Sequence, residues 1–173
     1  MHYGLKKGDG VAFMCRTCYE WNLTDAAIMA VGGVLATIYD TDSAAQAERI
    51  LNDSDVKLAI ADNRERFDRL DSVIDRCPSL KHILMLDSNA MGALEGLGVT
   101  VSDEELEARI DSVHADDLAT IVYTSGTTGE PKGVMLHHSN FMKSMHIHTL
   151  RLPEVNDKDT SMCFLPLTHI FEK

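Results

Sequence analysis

The strongest constraint on the fold is a regular alternation of short apolar runs with longer amphipathic segments. Strands are predicted over residues 11–15, 34–39, 57–61, 82–86 and 118–123. Helices are predicted between them, over 19–31, from a cap at 41, 42 or 43 to about 52, and over 64–77. Because strands that alternate with helices need crossover connections, the pattern predicts an α/β fold: a largely parallel sheet with helices on both faces.

The chain after residue 87 follows a less regular pattern. Residues 88–100 contain three glycines and are predicted as a loop, while Ser102 and Glu105 form a capping box for a helix to about 113. Further along, we expect a short extended run at 134–136, a helix capped by Ser139 or Asn140, and a strand at 161–165. The predicted division is 1–87 as a first α/β subdomain, 88–115 as a connecting loop and helix, and 116–173 as a final segment.

One polar stretch, residues 123–134, follows the last strand of the alternating region and reads YTSGTTGEPKGV. Its three glycines let backbone N–H groups approach an anion closely, and Lys132 adds a compact positive charge. Uncharged donors come from the hydroxyls of Thr124, Ser125, Thr127 and Thr128. The stretch favours a polyphosphate-binding loop over a surface hairpin in which the same residues only make the turn.

The spacing within this stretch excludes a P-loop. That motif needs G-x-x-x-x-G-K-[ST], but Pro131 stands where its second glycine should be, and Gly133 replaces the Ser or Thr after Lys132. The phosphate site must therefore be of another kind.

Charge and hydropathy limit the partners of the chain. The net charge is −11, which repels a phosphate backbone, so no nucleic-acid partner is predicted. The longest nearly uninterrupted apolar stretch, residues 26–39, is too short to span a bilayer. No secretory signal is recognised near the N-terminus, so the predicted location is cytoplasmic, with peripheral membrane attachment left open.

Neither the cysteines nor the histidines have the spacing of a known metal site. Cys15 and Cys18 have C-x-x-C spacing, but no second ligand pair accompanies them. His146 and His148 are two residues apart, which would point them in different directions on a helix. The cysteines are therefore interpreted as reduced structural thiols, the histidines as surface groups, and no metal ligand is predicted.

Two motifs carry a resemblance to a known family. YTSGTTGEPKGV resembles the signature loop of the adenylate-forming enzymes, and FLPLTHIFEK at 164–173 resembles the next motif of the long-chain fatty acid–CoA ligases. GLKKGDGVAF and ILNDSDVKLAIAD are similar to the opening of the same ligases, although Gly10 replaces a usually polar residue. The resemblance implies the partial N-terminal domain of such an enzyme, with 116–173 holding the ATP loop and the start of the acyl-binding region.

The resemblance also implies a reaction and its participants. A carboxylate, such as a fatty acid, attacks the α-phosphorus of ATP to give acyl-AMP and pyrophosphate, and coenzyme A then displaces AMP. Mg²⁺ would bridge the phosphate oxygens, and Lys132 and His169 would be catalytic, with His169 bordering the acyl pocket. The implied ATP-binding residues are Thr124, Ser125, Gly126, Thr127, Thr128, Gly129 and Lys132.

Family members carry further motifs that this sequence lacks, among them a magnesium-binding glutamate and a C-terminal catalytic lysine. We therefore expect the isolated chain to be inactive and its cut sheet to self-associate as a homo-oligomer. Three alternatives stay open: a non-catalytic nucleotide-binding α/β module, a ligase for a non-fatty carboxylate, and an unrelated phosphate-binding protein. The acyl chain length is not fixed by the sequence.

Overall fold

The structure is a computed structural model that describes residues 1–86, 90–125, 131–160, 162–163 and 165–169. Its strands are β1 Gly10–Met14, β2 Val34–Thr37, β3 Val56–Ala61, β4 His82–Met85, β5 Leu118–Ser125 and β6 Pro131–His137. Its helices are α1 Tyr19–Ala30, α2 Ala44–Asp53, α3 Arg64–Asp71, α4 Ala90–Gly98, α5 Asp103–Asp111 and α6 His138–Arg151. A short 3-10 turn, Ile74–Arg76, follows α3.

The six strands form one sheet in the order β4-β3-β1-β2-β5-β6. All neighbours up to β5 pair in parallel, whereas β6 pairs antiparallel with β5. Only residues 126–130 separate β5 from β6, and a parallel crossover needs a dozen residues or more. The predicted α/β fold with a largely parallel sheet is confirmed, with one antiparallel edge strand added.

Helices cover both faces of the sheet, as predicted. On one face, Trp21 of α1 packs against Phe13 of β1 in an edge-to-face arrangement with ring centroids 5.6 Å apart, and Leu94 of α4 joins the same cluster. On the other face, Ile50 and Leu51 of α2 and residues of α3 pack against the alternate strand positions. The core therefore lies in two layers.

Side-chain caps fix where several helices begin. Of the three candidates for the start of α2, Ser43 is the cap: its Oγ accepts from the Gln46 N–H at 3.3 Å, and Gln46 Oε1 accepts from the Ser43 N–H at 2.9 Å. At α5, the Ser102 Oγ accepts from the Glu105 N–H at 3.2 Å, as the sequence predicts.

Other predicted elements differ from the structure. The helix predicted over 64–77 ends at Asp71, where the Ser72 hydroxyl donates to the Arg69 carbonyl at 2.7 Å and tighter turns follow. The loop predicted over 88–100 is wrong, because residues 90–98 form α4. Packing of Leu94 against the core outweighs the low helix propensity of the glycines.

The last segment also departs from prediction. The short run at 134–136 is part of the longer strand β6, and α6 begins at His138, with the Asn140 side chain accepting from the His137 N–H at 2.8 Å. Residues 162, 163 and 165 are not in a strand, so the strand predicted over 161–165 is wrong where the structure describes it. No helix in the described ranges is long and apolar enough to cross a bilayer.

The contribution of the core layer under α1 to the stability of the fold can be measured at Phe13. Phe13→Ala should lower the free energy of unfolding by about 3–5 kcal/mol, because the ring is fully buried. Urea unfolding followed by far-UV circular dichroism measures the change. Tyr19→Ala is the control, since that aromatic side chain is 75% exposed and its loss should have little effect.

Candidate functional site

The signature stretch forms the β5–β6 hairpin at the carboxyl edge of the parallel sheet. Tyr123 pairs with Gly133, Thr124 with Lys132, and Ser125 with Pro131. The hairpin is thus the setting of the predicted phosphate loop, and its two strands carry three of the predicted ATP-binding residues. Four others lie outside the described residues: Gly126, Thr127, Thr128 and Gly129.

Thr124 and Lys132 lie side by side on one face of the hairpin. Side chains of directly opposed residues in antiparallel strands point to the same face, with Cβ atoms about 4.5–5.5 Å apart. Both residues are exposed. A hydroxyl donor and an ammonium group are therefore available together to an anion at the start of the loop.

Side chains on the opposite face of the hairpin pack against the core and α2. Tyr123 is buried, and its hydroxyl donates to Asp53 Oδ2 at the end of α2 at 2.6 Å. Burial, reinforced by the hydrogen bond to Asp53, raises the pKa of Tyr123 well above its ordinary value. Tyr123 therefore anchors β5 to α2 as a neutral phenol and is no candidate for proton transfer.

Gly133 packs on the same face of the hairpin as Tyr123. It does not adopt a positive φ. A Cβ built on it would lie 2.7 Å from Ile121 Cγ2 and 3.2 Å from the Tyr123 ring. The absence of a side chain at Gly133 leaves room for Ile121 and Tyr123, while its approach to an anion stays a prediction.

His169 lies in a separate turn at the same edge of the sheet. Its backbone N–H donates to the Pro166 carbonyl at 2.8 Å, and the Leu167 N–H donates to Thr17 Oγ1 at 3.2 Å. Leu167 is buried in the cluster that includes Phe13. The structure therefore brings Thr124 and Lys132 together, and it places the His169 turn beside the end of β1, on the far side of β2 from the hairpin.

A cavity of about 260 Å³ adjoins this turn. The cavity lies beyond the carboxyl ends of β1 and β2, at the edge where open α/β sheets bind ligands. The Thr168 hydroxyl is buried and has no hydrogen-bond partner within the described part of the chain. The lining residues are Cys15, Arg16, Thr17, Asp40, Cys163, Leu165, Pro166 and Thr168.

A charged cluster ties together the turns beside the cavity. The Arg66 guanidinium, on α3, donates to Asp62 Oδ1 at 2.8 Å and to Asp40 Oδ2 at 2.9 Å. Asp62 Oδ2 also accepts from the Arg16 N–H at 3.0 Å. Because Arg16, Asp40 and Asp62 follow β1, β2 and β3, a single guanidinium links three turns. Sequence reasoning missed this cluster, although carboxylates directly after two predicted strands were a usable signal.

Asp62 stays ionised in this cluster because opposing effects act on its pKa. Burial alone would raise the pKa of Asp62, but hydrogen bonds from the Arg16 N–H and the Arg66 guanidinium outweigh it and hold that pKa below its ordinary value. Asp62 is thus a carboxylate at neutral pH, paired with Arg66 in a site where its side chain is only 9% exposed.

The cysteines and histidines add no second site. All four thiols are free, and burial raises the pKa of Cys15, so its thiolate is disfavoured. Within residues 1–86, 90–125, 131–160, 162–163 and 165–169, no group of three or more His, Cys, Asp or Glu side chains could hold a metal ion.

Comparison with known proteins assigns the family. The AMP-binding enzyme family matches residues 1–173, the whole chain. The chain belongs to the AMP-binding enzymes. The resemblance to adenylate-forming enzymes inferred from the two motifs is thereby confirmed.

This AMP-binding enzyme is similar to longer proteins. The long-chain-fatty-acid–CoA ligase FadD15 of Mycobacterium bovis is 34% identical over 174 residues, which cover 98% of the chain but 29% of that ligase. The chain therefore spans less than a third of the length of this curated relative.

Solved structures confirm the fold. A long-chain-fatty-acid–CoA ligase (FadD1) from Archaeoglobus fulgidus has a TM-score of 0.71 at 23% identity, over 98% of this chain and 33% of its own. ATP-bound MatB from Rhodopseudomonas palustris has a TM-score of 0.73 at 23% identity, over 98% of this chain and 32% of its own. The mixed, mostly parallel sheet with helices is therefore shared with AMP-binding enzymes of known structure.

Gly133→Ala tests the packing role of this glycine. The variant should lower the free energy of unfolding by about 1–3 kcal/mol, because the added methyl group overlaps Ile121 and crowds Tyr123. Gly96→Ala on α4 is the matched control: open space surrounds it, and alanine should leave stability unchanged or raise it by up to about 1 kcal/mol. Equal effects of the two variants in urea unfolding would contradict the assignment.

Asp62 should give stability an acid dependence. Its pKa is lower in the folded chain, so its contribution is present above the ordinary carboxyl pKa and disappears as the pH falls through the folded value. Asp62→Asn should cost about 1.5–3 kcal/mol at pH 7, because it weakens a charge-assisted hydrogen bond while Arg66 keeps Asp40 as a partner.

The difference between Asp62→Asn and wild type should shrink as urea unfolding is repeated from pH 7 towards pH 3. The control Asp68→Asn removes an exposed partner of Arg64 on the same helix and should give a small, nearly constant difference. A constant difference for Asp62→Asn as well would show that its carboxylate contributes nothing through its charge.

Proposed function

We propose that this chain supplies the ATP phosphate-binding hairpin of an AMP-forming ligase that joins a carboxylic acid, of the fatty acid class, to coenzyme A. The observation that carries the proposal is the pairing of Thr124 with Lys132 on one exposed face of the hairpin, in a chain of the AMP-binding family. The similarity to FadD15 supports a fatty acid as the carboxylate.

The proposed reaction has two steps, adenylation of the carboxylate and transfer of the acyl group to coenzyme A. A carboxylate oxygen forms a bond to the α-phosphorus of ATP while the bond to the β-phosphate bridging oxygen breaks, which gives acyl-AMP and pyrophosphate. The sulfur of coenzyme A then attacks the acyl carbon, its proton is released to solvent, and AMP leaves with the electron pair of the C–O bond. Both steps bring anions together, so charge neutralisation and positioning are the main tasks of the protein.

Within this reaction the hairpin acts on the leaving group. Lys132 neutralises charge that builds up on the β- and γ-phosphates as pyrophosphate departs, and the Thr124 hydroxyl donates to a phosphate oxygen. Ser125 and residues 126–129 complete the proposed phosphate site, and His169 borders the acyl group on the other side of β2. Neither residue of the Thr124–Lys132 pair has to donate a proton to a reacting atom.

Magnesium is expected to accompany the triphosphate. Mg²⁺ prefers carboxylate, phosphate and water oxygens, whereas the described residues of the loop strands offer hydroxyls and an ammonium group. A threonine hydroxyl can ligate the ion, but the two loop strands carry no carboxylate and the Lys132 ammonium would repel it, so no step is assigned to the ion on this hairpin.

The self-association predicted from the sequence has one structural argument in its favour. β6 is an edge strand, and Val134 and Met135 on it are 46% and 66% exposed. Oligomerisation and peripheral membrane attachment stay predictions.

Lys132→Ala tests the proposed function in the full-length protein. Fatty acid-dependent exchange of pyrophosphate into ATP should fall about 10²–10³-fold, because a charged group aimed at the leaving phosphates is removed. The matched control is Lys143→Ala, which removes an exposed lysine from α6 and should leave exchange unchanged.

Two outcomes would count against the proposal. Wild-type exchange in Lys132→Ala would remove Lys132 from the phosphate site. ATP binding by the wild-type protein without exchange, across a panel of fatty, aromatic and dicarboxylic acids, would favour the alternative of a non-catalytic nucleotide-binding module.

A further inference from the structure

The His169 turn is connected to α3 through an unbroken series of short contacts. Arg66 binds Asp62, Asp62 accepts from the Arg16 N–H, and the next residue, Thr17, accepts from the Leu167 N–H. The Arg66–Asp62 pair is local, whereas the next two contacts join segments 46 and 150 residues apart, so the place of the turn depends on contacts between remote parts of the chain.

Asp40, the second carboxylate that binds Arg66, also connects α3 to the cavity next to the His169 turn. Asp40, which accepts from Arg66 at 2.9 Å, lines the cavity together with Arg16, Thr17 and Thr168. Arg69 donates to the Asp40 and Asp42 carbonyls at 3.1 and 2.7 Å and so holds the turn after β2 against α3. Two arginines of α3 therefore hold the turn after β2, which forms part of the cavity wall.

Stability alone is a poor explanation for this arrangement. Buried ion pairs are often replaceable by apolar residues without loss of stability, because desolvation offsets much of their attraction. Geometry is what a guanidinium adds: its planar fork can bind two carboxylates at fixed angles, which a lysine ammonium cannot reproduce. The cluster is suited to setting the relative positions of the turns after β1, β2 and β3.

We propose that Arg66 is a positioning residue that acts through Asp62 and Thr17 on the turn carrying Thr168 and His169, and so on the acyl side of the site. This inference rests on the proposed ligase function. Arg66 contacts no reacting atom. Its effect should appear in acyl transfer, where the acyl carbon must be positioned, and not in the binding of ATP, which belongs to the hairpin beyond β2.

The test uses three variants of the full-length protein. Arg66→Lys keeps the charge but loses the fork, and Thr17→Val removes the acceptor of the Leu167 N–H without burying a charge. Arg64→Gln is the control, since it breaks an exposed pair with Asp68 on the same helix. Transfer of the acyl group from preformed acyl-AMP to coenzyme A should fall about tenfold in the first two variants and stay at the wild-type rate in the control.

The KM for ATP in pyrophosphate exchange should stay within about twofold of wild type in all three variants. The double variant Arg66→Lys/Thr17→Val should lose no more than the more affected single variant, because both substitutions interrupt the same connection. A raised KM for ATP, multiplicative losses in the double variant, or unchanged acyl transfer would each overturn the proposal.

A readout independent of activity separates this inference from the proposed function. Nuclear magnetic resonance of histidine-labelled protein, with the His169 signal assigned by His169→Gln, should show ring shifts of His169 in Arg66→Lys and Thr17→Val and none in Arg64→Gln. If wild type is inactive with every carboxylate but these shifts appear, the ligase function fails and the positioning contact stands. An unchanged His169 signal in Arg66→Lys and Thr17→Val overturns the positioning role, whatever the activity.

Discussion

Parallel pairing of β1, β2, β3 and β5 is the constraint on which the rest of the structure depends. Parallel strands have to be joined by crossovers, and all their carboxyl ends then meet at one edge. The chain places its polar turns there: the cavity wall after β1 and β2, Asp62 after β3, and the hairpin loop after β5. Arg66 and its two carboxylate partners therefore lie at this edge, while the helices bury the two faces.

Side-chain alternation divides the hairpin into two functions. Residues at alternate positions of a strand point to opposite faces, so Tyr123 and Gly133 face α2 while Thr124 and Lys132 face outward. The inward pair holds the hairpin by close packing and by the hydrogen bond to Asp53. Thr124 and Lys132, on the outward face, are exposed and take no part in this packing, so both side chains can contact a charged ligand.

The sequence was informative where a structural signal is local. Apolar runs predicted the first five strands to within one or two residues, and the signature stretch led to the hairpin and the family. Composition misled at α4, because its glycines suggested a loop although Leu94 packs on the core. The charged cluster has only a partial local signal, the aspartates after two predicted strands, because Asp40 and Arg66 are 26 residues apart and Arg16 and Asp62 46. The Thr17–Leu167 contact spans 150 residues. Only the strand order brings these pairs together.

The close fit at Gly133 also fixes the alignment of the two hairpin strands. If β6 slipped by one residue along β5, every side chain on it would change faces, and the Lys132 ammonium would lie against the Tyr123 ring in the apolar layer. Only the observed alignment puts the residue without a side chain beneath the ring. The absence of a side chain at Gly133 on one face thus keeps the Lys132 ammonium exposed to solvent on the other.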